Sequence, residues 1–129
     1  MREERYSKVD STAAIALVLA RSMQNRTEDF PYVKDISGLL FRLREKGFRV
    51  RDLGLRRIPD GYYSEDVETF VGQLLSMGYA SQRSPIKLKV KGVTFCEEMV
   101  KEEAGKNKEE VEKLERAIQQ ELSTVATSA

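Results

Sequence analysis

Histidine is absent from the 129-residue chain, and cysteine occurs once, at Cys96. The first absence removes the commonest general base and the commonest metal ligand. A single cysteine excludes an intramolecular disulfide and cannot build a structural zinc site. No Gly-rich phosphate loop or nucleophile motif accompanies the acidic residues, which fall in runs typical of exposed helix faces. These absences predict a protein that is not an enzyme and carries no cofactor and no metal. Long apolar runs are missing too: the longest, residues 13–20, stops at Arg21, far short of the roughly 18 to 20 residues that span a bilayer. The first ten residues alternate in charge, unlike the basic-then-apolar start of a signal peptide. The expectation is a cytoplasmic protein with no membrane partner.

What is present suits one globular domain. Hydrophobic residues make up 40% and charged residues 33% of the chain, and a chain of this size removes roughly two thirds of its unfolded surface from water. Cys96 lies among Phe95, Met99 and Val100, the setting of a small buried hydrophobe. The net charge of +1 conceals an asymmetry. Residues 1–96 hold 17 basic and 12 acidic side chains, and residues 97–129 hold 5 basic and 9 acidic. A basic body followed by an acidic end is consistent with a nucleic-acid-facing side, and equally with a charged carboxy-terminal helix.

The pattern along the chain predicts an α+β, mainly α fold with one β-hairpin. Residues 1–9 read as a flexible amino terminus, 10–104 as the main domain, and 105–129 as a carboxy-terminal helix with a frayed tail. Asp10 or Ser11 caps a first helix that is apolar on every face from 13 to 20, so it must lie in the middle of the fold or under a partner subunit. Pro31 opens a second helix with Val33, Ile36, Leu39, Leu40 and Leu43 at helical spacing, ended by Gly47. Short extended pieces and a Pro59-Asp60-Gly61 turn follow. Ser64 then caps a helix striped by Val67, Phe70, Val71, Leu74 and Leu75, which Gly78 ends. Residues 79–81 and 86–91 form the expected hairpin. A helix from after Gly92 to about Glu103 is interrupted at Gly105 and Asn107, and a last helix runs from Lys108 to about Leu122.

Two basic groups are candidates for contact with double-stranded DNA. Lys87, Lys89 and Lys91 alternate with Ile86, Leu88 and Val90, which on an extended strand puts three ammonium groups on one face. With Arg83 they make a basic wing with no acidic residue between positions 80 and 96, suited to a phosphate backbone. The same row equally suits an edge strand protected from aggregation by lysines. Arg49, Arg51, Arg56 and Arg57 precede the capped helix as a second set of phosphate clamps or as solubilising loop residues. On the capped helix Thr69 and Gln73, with Ser76, are the polar outer positions, available for base reading or simply solvated. Against DNA stand Glu65, Asp66 and Glu68 in its first turn.

The text S-E-D-V-E-T-F-V-G-Q-L-L-S-M-G-Y-A at 64–80 followed by P-I-K-L-K-V-K-G-V-T-F at 85–95 resembles the winged helix-turn-helix family: a third helix, a Gly turn, and a wing strand closing on Lys-Gly. Leu88-Lys89 stands where many relatives carry Leu-Thr. The resemblance implies a DNA-binding domain of the kind used in transcriptional control. A second likeness, D-I-S-G-L-L-F-R-L-R-E-K-G-F at 35–48 with G-Y-Y-S-E-D-V-E-T at 61–69, is similar to the Panacea-type domains associated with antitoxins, and implies a protein partner instead. Finally, Val111, Leu114, Ile118 and Leu122 form an amphipathic stripe whose apolar area, added to that of the first helix, predicts a homodimer.

Overall fold

The computed structural model describes residues 9–48, 50 and 53–127, with side chains to residue 124. Residues 1–8 of the expected loose amino terminus, Arg49, Arg51 and the last two residues of the tail lie outside the described residues; Val9, expected to be loose, is buried in the core, and the tail expected to fray is helical to residue 127. The chain is α+β and mainly α: α1 (Ser11–Met23), α2 (Val33–Glu45), β1 (Arg56–Ile58), β2 (Gly61–Tyr63), α3 (Glu65–Ser76), β3 (Ala80–Arg83), β4 (Ile86–Leu88) and α4 (Val90–Thr127). Among the described residues no helix is long and apolar enough to cross a membrane.

Helix α1 is the axle of the fold. The Asp10 carboxylate accepts from the Thr12 amide at 3.1 Å, closing the helix start, and every residue from 13 to 20 is buried. A helix apolar on all sides needs neighbours on all sides, and α2, α3 and above all α4 supply them. Of the two placements open to such a helix, the middle of its own fold is the one found.

Helix α2 buries Ile36, Leu39, Leu40 and Leu43 and ends where Gly47 takes φ +98°, letting the Phe48 amide donate back to the Leu43 carbonyl at 2.9 Å. Gly61, at φ +137°, closes a second short hairpin, β1–β2, where extended pieces without pairing were expected. Its register sets Arg57 opposite Tyr62, and the Tyr62 ring stacks on Phe41 of α2 with centroids 3.8 Å apart. Tyr62 is therefore spent on packing the hairpin against α2.

A short buried polar chain fastens α3 to α2. Ser37 Oγ donates to the Val33 carbonyl at 2.8 Å and accepts from the Ser64 amide at 3.1 Å. Ser64 Oγ in turn accepts from the Val67 amide at 3.3 Å, as the N-cap chemistry predicts. The inner face of α3, Val67, Phe70, Val71 and Leu74, meets the core.

Helix α4 is not straight. Asn107, at φ −138° and ψ 55°, is non-helical and divides it, as the Gly105 and Asn107 interruption predicted. The first segment runs back along α1, with the Asp10 amide donating to Glu103 at 3.3 Å. The second returns past Arg21 to α2, where Glu121, almost fully buried, accepts from Arg42 at 2.9 Å and from Lys46 at 2.7 Å. Burial opposes ionisation of Glu121, but the hydrogen bonds from Lys46 and Arg42 outweigh it and hold its carboxyl below the usual carboxylate range.

This fold-back corrects the reading of the carboxy-terminal stripe. Val111, Leu114, Ile118 and Leu122 are only 6, 0, 0 and 1% exposed in the single chain. They complete the chain's own core, because the turn at Asn107 lays them on α1, and they offer no free apolar face to a second copy.

Candidate nucleic-acid interface

The hairpin β3–β4 follows α3 and precedes α4 in the chain, where the sequence pattern predicts a wing. Its strands pair antiparallel, with a register shift between Ala80 and Gln82. Ile86 is fully buried, and its amide donates to the Pro31 carbonyl at 2.7 Å, so the wing is anchored on the connection between α1 and α2.

The lysine row is shorter than its sequence pattern. Strand β4 ends at Leu88, and only Lys87 stands on it. Lys89 is the residue between strand and helix: its amide donates to the Tyr79 carbonyl at 2.9 Å, and its own carbonyl accepts from Gly92 at 2.9 Å and Val93 at 3.0 Å. Lys91 is already in the first turn of α4, its ammonium 5.7 Å from the centre of the Tyr79 ring. Val90, expected to point into the core, is 85% exposed. The early helix start depends on Gly92, where a Cβ would meet the Tyr79 carbonyl oxygen at 2.0 Å. The strand-period face is thus replaced by a strand-to-helix corner, on which Lys87, Lys89 and Lys91 are all exposed.

Arg83 belongs to a different contact. Its guanidinium pairs with Glu68 at 2.8 Å and crosses α3 beside Gly72, where a Cβ would lie 3.3 Å from it. Asp66, too, is engaged, accepting from the Gly54 amide at 2.8 Å. Two of the three carboxylates in the first turn of α3 therefore have partners, and Glu65 remains at the surface. Thr69, Gln73 and Ser76 are exposed along the adjoining ridge of α3 at i, i+4 and i+7.

The second basic group is not assembled with the first. Arg56 and Arg57 are exposed neighbours on β1, and adjacent strand residues face opposite ways. Arg56 lies over the Tyr63 ring at 5.1 Å. Their hairpin packs on α2, whereas the wing packs on α3.

One cation was missed. Arg26 and Thr27, in the connection after α1, line a cleft of about 400 Å³ together with Gln82, Pro85 and Lys87 of the wing, and Glu28 is at the same cleft. Nothing in residue spacing links positions 26 and 87; the Pro31–Ile86 hydrogen bond brings them together.

The chain matches no family model, and no curated protein or solved structure matches it.

Proposed function

We propose that the chain is a winged-helix-like, cytoplasmic, non-enzymatic protein that binds double-stranded nucleic acid through its backbone, in a role such as transcriptional control. The observation that carries this reading is the exposed corner of Lys87, Lys89 and Lys91, none of them in a salt bridge among the described residues. Exposed, unpaired ammonium groups gain most from releasing counterions condensed on a duplex. Phosphate contact dominates and base reading is slight, because the α3 ridge offers few donors and its first turn is acidic. The order α3, hairpin β3–β4, α4 supports the same reading, although the short hairpin β1–β2 stands between the second helix and the third.

A second reading, a protein-binding adaptor of the antitoxin-associated kind, is favoured by two exposed apolar side chains near the wing. Met77 closes α3 at 48% exposure and Val90 opens α4 at 85%.

Fluorescence anisotropy of a labelled random duplex, titrated with protein over a series of salt concentrations, tests the choice. A duplex binder loses affinity steeply as salt rises. Absence of binding at low salt rejects the nucleic-acid reading and leaves the adaptor.

A further inference from the structure

The Arg21 guanidinium bonds two carboxylates of the same helix, Glu97 and Glu115. On a continuous helix those residues would stand about 27 Å apart, beyond the reach of one side chain. They meet because α4 doubles back at Asn107, the non-helical residue between its two segments. The flanking text, K-E-E-A-G-K-N-K-E-E, is rich in strong helix formers apart from Gly105 and Asn107. A single residue therefore separates the fold-back from one straight helix.

Straightening alone is unfavourable, since it pulls Val111, Leu114, Ala117, Ile118 and Leu122 out of the core. It also breaks Arg21–Glu115 and separates Glu121 from Arg42 and Lys46. A second copy that has straightened in the same way leaves an identical vacant bed beside its own α1 and α2. Exchange restores every one of those contacts between chains and changes only the joint. A joint this short has no slack with which to favour return to its own chain.

We propose that this chain pairs with a second copy of itself by exchanging the segment 108–127, with Asn107 as the hinge. The apolar stripe then serves as core in the monomer and as interface in the dimer, through the same atoms.

Refolding Asn107→Ala from denaturant at low and high micromolar protein, followed by sedimentation velocity, tests the hinge. Dimer that increases with refolding concentration, and exceeds that of the parent chain, is expected. Gly105→Ala, placed where a Cβ meets open space, should act in the same direction and stands in if Asn107→Ala fails to fold. Exchange is distinguished from side-by-side pairing by refolding two charge-reversed chains together, Arg21→Glu and Glu115→Arg, each also carrying the hinge substitution that folds. A swapped heterodimer restores both pairs between positions 21 and 115, whereas each chain alone sets like charges there; the clash of Arg21→Glu with Glu97 is the same in monomer and dimer. Preferential heterodimer formation supports the exchange. Hinge variants that remain monomeric at high concentration, or mixed chains that pair without preference, overturn it.

Discussion

The guanidinium of Arg83 in the wing rests on the Glu68 carboxylate of α3 at 2.8 Å, so that a basic residue of the hairpin neutralises an acidic residue at the helix start. Both side chains are partly exposed, so the pair contributes little to stability. Its effect is on where charge is available: Arg83 is withheld from any ligand while Glu68 holds it.

Glu68→Gln should therefore release Arg83 and strengthen binding to random duplex. If the freed guanidinium reaches a phosphate, the salt dependence steepens by about one charge. Anisotropy titrations across salt measure both quantities. An unchanged slope would show that Arg83 stays on the α3 face without its partner.

Replacing Lys87, Lys89 and Lys91 together by Gln should change the melting curve little, since exposed substitutions usually alter stability by less than about 0.5 kcal/mol each and loss of the exposed Lys91–Tyr79 contact adds only about 0.5–1 kcal/mol. Duplex binding should weaken on all sequences alike, with the salt slope falling by up to about three charges. Retained affinity in a normally folded variant would remove the corner from the interface.

Leu114→Glu with Ile118→Glu should unfold the chain, because both positions are fully buried in the single molecule. The milder Leu114→Ala should cost about 2–5 kcal/mol, read from the midpoint of urea unfolding. A folded, soluble double variant would mean that these residues are not core.

Glu121 gives a pH signature whose sign follows from its depressed folded-state pKa. Its stabilising contribution is fully present above the unfolded carboxyl value, about 4.3, and is lost as pH falls through the lower folded value. Glu121→Gln should thus cost on the order of 1 kcal/mol at neutral pH, a modest figure because Arg42 and Lys46 are half-exposed. The difference from the parent chain should shrink towards pH 3. Thermal melts of both proteins from pH 3 to 7 follow it.

The helices were legible because their burial follows simple periods. The stripe of α3, its Ser64 cap and the all-apolar α1 each sit where the pattern put them. Failure came where a pattern continues through a change of structure. The alternation of residues 86–91 is unbroken in the sequence, yet the backbone turns from strand to helix after Leu88, since Gly92 lets the first turn of α4 approach the Tyr79 carbonyl. The 111–122 stripe is likewise a correct amphipathic face, but periodicity cannot say whose core it enters. The answer lies in the direction of the chain at Asn107. The pairing of Glu68 with Arg83 and the shared cleft of Arg26 and Lys87 join separate elements and leave no trace in spacing.

Cys96, fully buried on the first segment of α4, has a thiol pushed up to about 12 by burial and, secondarily, by the charge of Glu97. Only the thiolate reacts readily with disulfide reagents, so at neutral pH this sulfur is silent while the helix is seated. Because it is the chain's one cysteine, its labelling rate works as a built-in stopwatch, each reaction event recording an excursion in which the first segment of α4 has left the core.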